Sequence, residues 1–330
     1  MNVLLTCAGR RNYLIGYFRE ALAGQGKVFA ADVRGEAPAL AEADRAFVVP
    51  EIQHADYVPM LVRICREHEV RLLVPLNDLE LPVLARHRVL LVQEGVMPVV
   101  PSEDVVETCF DKARTHEFLV ECGLPVLITY QTLKDARQGL RKGEVTFPLV
   151  VKPRWGTASI GIDHADDEEE LELAYRLARR RAARSIIGEV SSADPERSVL
   201  VQQRLDGEEY GLDVVNDFRG AYVTTFVKRK IGMRAGETDR AVTVRDPRLE
   251  KLGETLGRRL GHVGNLDVDV IVKRDTAYVL EMNPRLGGGY PFSHVAGANL
   301  PAAFLAWARG EEPDPDSLTV RPGVMAAKCD

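Results

Sequence analysis

Two short stretches of this chain hold the residue types that metal and phosphate chemistry require. In "YVLEMNPR" Glu281 and Asn283 stand two residues apart, so on a strand they share one face while Leu280 and Met282 take the other. Upstream, "NLDVDVIV" repeats the alternation, with Asn265, Asp267 and Asp269 on one face and Leu266, Val268 and Val270 opposite. Pairing the two as a hairpin across "KRD", with an odd-numbered loop, places Asp267 beside Glu281. Carboxylates and an amide oxygen gathered this way are hard ligands suited to Mg²⁺, which keeps waters and shares phosphate oxygens. The alternative is the solvent-facing polar side of an antiparallel sheet. Arg285, leaving the strand end beside the acids, weighs towards the metal site, because a guanidinium there suits a phosphoryl or carboxylate oxygen.

In "LVVKPRWGTASIG" Lys152 ends an apolar run and the glycines follow it, the reverse of a Walker loop. Leu149–Lys152 reads as a strand and Ile160–Asp163 as the next, making "PRWGTAS" a hairpin lid. Gly156 and Gly161 permit close backbone approach to an anion, and Thr157 and Ser159 add hydroxyl donors. Taken alone, these residues fit a surface hairpin with an exposed lysine equally well. "FVKRKIGMRAGETDR" is locally basic through Lys228, Arg229, Lys230 and Arg234, and reads as an anion cradle or as a solvated loop. The acids of "EEY", Glu208 to Tyr210, follow a strand end, where a carboxylate could hold ribose hydroxyls. The backbone at Gln202–Leu205 could read an adenine edge. His294 and Trp155 lie near these stretches, and such single residues more often pack than react.

The elements that must position these groups follow from periodicity. "NVLLTC", "GKVFAAD" and "RLLVPL" are short buried strands separated by amphipathic helices, which implies a doubly wound parallel sheet. The first turn, "TCAGRRN", has one glycine, so Asp32 at the end of the second strand lacks the fingerprint of a dinucleotide site. Ser102, Glu103 and Asp104 cap a helix after a proline-rich boundary, and a smaller α+β unit runs to about residue 190. The charges of "DDEEELELAYRLARRRAAR" suit the helix macrodipole and a solvated face. Beyond it, "VLVQQRL", "EYGLDVVND", "AYVTTFVKRK", "NLDVDVIV" and "AYVLEMN" read as strands of a mostly antiparallel sheet, ahead of a final helix and a Pro/Asp-rich tail. The 330 residues are 45% hydrophobic and 28% charged, with a net charge of −6 that offers no general attraction to nucleic acid or anionic lipid. Five cysteines without ligand spacing, and no signal peptide or span, indicate a cytoplasmic protein.

Taken in order, these pieces resemble the ATP-grasp superfamily, and within it the carbamoyl-phosphate-synthase-like members and stand-alone carboxylate–amine ligases. "LLVPLNDLELPVLA" resembles the close of the family's pre-grasp domain, and "FDKARTHEFLVECGLPV" its first nucleotide-contacting lysine, here Lys112. "VVKPRWGTASIG" is similar to its second lysine and glycine-rich lid, and "VQQRLDGEEYGLDVV" to its adenine hinge and ribose acid. The resemblance implies α/β and α+β architecture: a doubly wound parallel pre-ATP-grasp sheet followed by a two-lobed ATP-grasp fold. The expected units are residues 1–100, a small lobe at 101–190 with the lid, and a large lobe at 191–330. It further implies nucleotide contacts from Lys112, Lys152, Gly156, Thr157, Ser159, Gly161, Gln202, Gln203, Leu205 and Glu209. The implied metal ligands are Asp267, Glu281 and Asn283. Lys152, Arg285 and Arg234 take catalytic roles, with Arg234 on the acylphosphate oxygens, and Gly287 to Tyr290 line the acceptor pocket.

Two positions depart from the pattern. Gln202 and Gln203 stand where an acidic residue is common, which leaves adenine to the backbone, and Asp267 has a shorter reach than the Gln or Glu of relatives. One grasp module is present, so a two-site synthase is not expected. The implied reaction is ATP- and Mg²⁺-dependent (Mn²⁺ being the substitute) ligation of a small-molecule carboxylate to an amine, with a homodimer as a compatible state and neither nucleic acid nor membrane as partner. The rivals are phosphorylation of a small carboxylate such as bicarbonate, a non-catalytic ATP-binding protein, and a dehydrogenase.

Overall fold

A computed structural model describes residues 1–156, 161–185, 188, 191, 194–234 and 236–328, and three sheets carry the fold among them. The first is parallel, in the order β3-β2-β1-β4-β5, from β1 (Asn2–Thr6), β2 (Val28–Asp32), β3 (Arg45–Val48), β4 (Val70–Pro75) and β5 (Met97–Pro98). Its inner strands are uninterrupted apolar runs because both faces are covered. Val3, Leu5, Val28 and Ala30 meet Leu14, Ile15 and Phe18 of the helix Asn12–Leu22. Leu4, Phe29 and Ala31 meet Leu61 and Ile64 of the helix Tyr57–Glu67 on the other side. Strand order reverses between β1 and β4, so the crevice for a ligand lies beyond their carboxyl ends.

The second sheet is antiparallel, in the order β6-β9-β7-β8, from β6 (Thr129–Tyr130), β7 (Leu149–Pro153), β8 (Asp163–Ala165) and β9 (Val199–Gln203). The helix Glu168–Ala183 covers it, starting at Asp167, whose side chain accepts from Glu170 N, and running from Glu168–Glu170 to Arg180–Arg181 in accord with its dipole. "VLVQQRL" was expected in the larger sheet. It belongs here because Val199 and Val201 complete the cluster of Leu149, Val151, Leu171 and Tyr175.

The third sheet has the order β14-β13-β10-β11-β12-β15, all antiparallel. Its strands are β10 (Glu208–Asn216), β11 (Tyr222–Arg234), β12 (Glu237–Val244), β13 (Gly264–Lys273), β14 (Thr276–Asn283) and β15 (Met325–Ala327). Leu212, Val214, Leu266, Val268 and Met282 bury one face against the leucines of the helix Pro247–Leu260. The opposite face is polar and looks towards the first sheet. The stretch 228–240, expected as a loop, is the β11–β12 hairpin, and the tail adds β15 to its edge. Among the described residues no helix is long and apolar enough to cross a membrane.

Candidate active site

The polar face of the third sheet depends on one irregularity. β13 and β14 join through two residues, Arg274 (φ 47°) and Asp275 (φ 65°), both left-handed as a tight two-residue hairpin requires. That even-numbered loop would set Asp267 opposite Met282 and turn Glu281 towards the core. A bulge between Asp269 and Val270 restores the parity, so Asp267 faces Asn283 and Asp269 faces Glu281. The odd-numbered loop and the Asp267–Glu281 pairing expected from sequence are therefore corrected, while the shared face stands. The same face carries Asp213 and Gly211 of β10 and Lys228 and Lys230 of β11.

Each cation on this floor has a carboxylate partner. Lys228 Nζ donates to Asp213 Oδ2 at 2.5 Å, and both groups are buried. Lys230 Nζ lies 2.6 Å from Asp269 Oδ1; burial pulls the lysine down, but Asp269, Asp267 and Glu209 together raise it above its ordinary value. Arg285 donates from Nη1 to Asp267 Oδ2 at 2.7 Å, and from Nη2 and Nε to Asp78 Oδ2 at 2.9 and 3.2 Å. Burial works against the Arg285 charge, but Asp78 and Asp267 reverse that and hold it well above the usual guanidinium range. Asp267 is correspondingly held low, its burial outweighed by Arg285, Lys228 and Lys230. Asp78, Asp213 and Asp269 were not singled out as site residues; Asp78 comes from the loop after β4, and no local pattern ties it to Arg285.

Beside this floor two lysines converge from the second sheet and the helix Lys112–Glu121. Lys112 Nζ donates to Gly156 O at 2.6 Å and stands 3.9 Å from Glu281 Oε1. Lys152 Nζ donates to Gln202 Oε1 at 2.9 Å, and Gln202 Nε2 donates to Thr129 Oγ1. Burial first, then the charge of Lys112, pushes Lys152 down to about 8, with Glu281 opposing. Burial raises Glu281 despite Lys112. Gly156 adopts φ 119°, a conformation that suits glycine and aims its carbonyl at Lys112.

The other sequence candidates distribute as follows. Gly161, at φ 74°, borders the lid, whose Thr157 and Ser159 lie outside the described residues. Gln203 N donates to Ile128 O, tying the hinge to the strand beside it, and Leu205 follows half-buried. Glu209 shares the polar face, with Lys230 Nζ 4.0 Å away. Arg234 sits at the hairpin end, 3.2 Å from Asp239 and about half exposed, and does not line the cleft. Gly288 and Gly289 line it, but Tyr290 is fully buried, its hydroxyl accepting from Leu300 N. His294 stacks on Tyr17 at 3.6 Å between centroids, and Trp155 packs under Arg154; both belong to packing. Asp32 accepts from Gly9 N and Arg34 N, which accounts for it as a turn anchor.

The cleft itself encloses roughly 190 Å³ between the first sheet and the polar face, with Arg11, Asn77 and Asp78 on one wall and Glu237, Thr238 and Gly288 on the other. Among the described residues no group of three or more His, Cys, Asp or Glu side chains is placed to hold a metal by itself.

Residues 3–99 match the family model of the PylC-like N-terminal domain, and residues 195–329 that of an ATP-grasp in the biosynthetic pathway with Ter operon. The carbamoyl phosphate synthase large chain of Mycobacterium bovis is 28% identical over 227 residues, 66% of this chain and 19% of that one. This chain therefore spans about a fifth of such relatives' length. Among solved structures, the biotin carboxylase domain of Hydrogenobacter thermophilus 2-oxoglutarate carboxylase superposes with a TM-score of 0.74 at 18% identity, covering 98% of this chain and 73% of that one. The L-amino acid ligase of Bacillus licheniformis gives 0.69 at 23% identity, covering 92% and 74%. The parallel sheet, the two antiparallel sheets and these likenesses agree: the chain has the two-lobed ATP-grasp fold, with a PylC-like N-terminal match over residues 3–99 and an ATP-grasp match over residues 195–329.

Proposed function

We propose that this chain is an ATP-dependent, ADP-forming ligase that joins a carboxylate to an amine through an acylphosphate. The observation that carries the reading is the convergence of Lys112 and Lys152, two largely buried ammonium groups that have one carboxylate, Glu281, between them among the described residues. Such an excess of positive charge suits a polyphosphate. Support also comes from the matched family models and from the solved relatives, one of which holds MgADP.

The residues present fit a divalent ion. Glu281 is a partly buried carboxylate raised by desolvation, which a cation beside it would reverse, and Asn283 offers an amide oxygen next to it on the polar face. With no complete protein cage, phosphate oxygens and water would fill the remaining positions, as is usual for Mg²⁺. When bound there, the ion would offset charge on the phosphates. Asp267, engaged by Arg285, is the third ligand of this reading.

In the proposed reaction the hinge at Gln202–Leu205 takes adenine and Glu209 the ribose. Lys112 and Lys152 take the phosphates under the Gly156–Gly161 lid, with Thr157 and Ser159 as donors. A substrate carboxylate oxygen attacks the γ-phosphorus, the bond to the β-phosphate oxygen breaks, and ADP leaves. The amine then attacks the acyl carbon, phosphate departs and the amine loses a proton, leaving an amide. Arg285, fixed by Asp78 and Asp267, meets the transferred phosphoryl group, so catalysis rests on positioning and charge neutralisation. Arg234 has no part in this reading. The same reading keeps the working division into 1–100, 101–190 and 191–330, with the difference that β9, beyond residue 190, pairs in the sheet of the smaller lobe.

The test is ADP release from MgATP against panels of carboxylates and amines, with product masses recorded. Release that requires both substrates and yields their mass less water supports the ligase. Release without an amine would transfer the assignment to phosphorylation of a small carboxylate.

A further inference from the structure

Charge matching across the cleft leaves one cation over. Of the cations lining it, Lys228, Lys230 and Arg285 each hold a carboxylate, whereas Arg11 holds none among the described residues. Arg11 leaves the loop after β1 and donates to the carbonyl of Leu76, just past β4. It thereby bridges the point where strand order reverses, the place where open α/β sheets bind ligands. A half-buried guanidinium held by one neutral acceptor retains donors for an anion.

The facing wall adds the opposite charge and the room. Glu237 lines the cleft and accepts from Lys328 Nζ at 2.9 Å. That hydrogen bond is the main reason its carboxyl stays below its usual value, and Arg11 contributes through space, so the two groups feel each other across the gap. Beside it runs a stretch of three glycines, of which Gly288 and Gly289 line the cleft. A Cβ on Gly287 would stand 2.1 Å from Asp267, and one on Gly289 2.7 Å from Lys228, so packing compels both. At Gly288 the nearest atoms are 3.5 and 3.8 Å away, at the ends of the Lys328 and Glu237 side chains, and its φ is not left-handed. The fold has no need of glycine there. The missing side chain instead leaves open space in the cleft beside Glu237 and Lys328.

We propose that this end of the cleft is the acceptor subsite, and that it selects an amine that carries its own anionic group, a carboxylate or phosphoester, with Arg11 reading the anion, Glu237 facing the amine and Gly288 leaving room for it. The proposal rests on the ligase reading and deepens it: the acceptor is a zwitterion of amino-acid type rather than a neutral or polycationic amine.

The experiment measures phosphate release and product mass with saturating MgATP and a mixture of small carboxylic and amino acids as donors. The acceptor probes are L-amino acids, β-alanine, O-phosphoethanolamine, amino-acid carboxamides and simple alkylamines. Turnover should require the anion-bearing amines, with β-alanine against O-phosphoethanolamine showing whether a carboxylate or a phosphoester is read. Arg11→Ala should lower kcat/KM for the acceptor by roughly 10- to 100-fold, the range for a lost charge-assisted hydrogen bond, with the MgATP KM as in wild type. Arg11→Lys, which keeps the charge and loses the fork, should fall between the two. Gly288→Ala should raise the acceptor KM alone. Carboxamides or alkylamines as good as the acids, or an unchanged acceptor KM in a folded Arg11→Ala protein, would overturn the subsite while leaving the ligase intact. If Arg11→Ala does not fold, Arg11→Lys and the acid-against-amide comparison in wild type decide. MgATP binding that needs Lys152 but supports turnover with no amine also overturns the subsite; absence of MgATP binding overturns the ligase reading itself.

Discussion

The two ends of the site handle charge in opposite ways. On the sheet floor every cation is matched: Lys228 to Asp213, Lys230 to Asp269, and Arg285 to both Asp78 and Asp267. At the lid end Lys112 and Lys152 share Glu281, at 3.9 Å from Lys112, and Lys152 relies on the neutral amide of Gln202. Matched pairs in a buried setting hold side chains in place, which for Lys228 and Lys230 is scaffolding and for Arg285 is orientation towards the phosphoryl group of the proposed reaction. An unmatched pair of ammonium groups is unfavourable until an anion arrives, which fits the polyphosphate proposed for that end. Arg11 repeats the unmatched pattern once, at the far wall of the cleft.

If the floor is scaffold, breaking one of its pairs should register in stability first. Asp213→Ala leaves Lys228 buried without its counter-charge and should destabilise by about 3–5 kcal/mol in urea melts, the cost of an uncompensated buried ion. A loss near zero would mean that the floor is not a matched scaffold. At the lid end the same kind of deletion should register in turnover. Lys152→Ala should reduce kcat by about 10²–10³-fold, by analogy with removal of an oxyanion donor, with a melting temperature close to wild type. Glu281→Gln sharpens the contrast: metal-free ATP should bind at least as well as to wild type, while dependence on Mg²⁺ disappears. Calorimetry with ATP, with and without the ion, checks both.

Two smaller effects concern pH. Glu80 is fully buried in the first domain and accepts from Tyr57 at 2.6 Å. Burial raises its carboxyl from the ordinary 4.5 to about 7, against the opposing pull of that hydrogen bond. The folded state therefore holds this proton more tightly than the unfolded chain. The contribution is complete below about 4.5 and is lost as pH rises through about 7. Glu80→Gln keeps an acceptor for Tyr57 and should stabilise by about 3 kcal/mol at pH 8, with far less gain at pH 5. Equal gains at both pH values would rule this out. Lys152, lowered to about 8 in the free protein, should regain its charge against a triphosphate. MgATP binding should then take up a fraction of a proton near pH 8 and weaken above it, which calorimetry in two buffers of different ionisation enthalpy measures. Proton release instead would place the phosphates elsewhere.

How much of this was legible beforehand differs from residue to residue. That Glu281 and Asn283 share a face, and that Asp267 and Asp269 do, followed from the two-residue period of a strand. Their mutual register did not follow, because the Arg274–Asp275 turn and the bulge together set parity, and neither has a firm local signature. The Lys152 stretch is equivocal alone; the structure buries Lys152 beside Lys112, which supports the proposed anion site. Arg234 looked basic and available, yet hairpin geometry carries it to the exposed end beside Asp239.

By itself, then, the sequence determined what short-range stereochemistry controls: buried strands with helices between them, the charge order of the helix 168–183 along its dipole, the alternating faces, and the order of motifs that resembles one superfamily. Only the tertiary structure decided which charges meet. Asp78 reaches Arg285 across 207 positions of chain, Lys328 reaches Glu237 across 91, and Arg11 has no carboxylate partner among the described residues. Ion pairing depends on distance in space and on burial, and both are set by how the sheets pack rather than by any spacing along the chain.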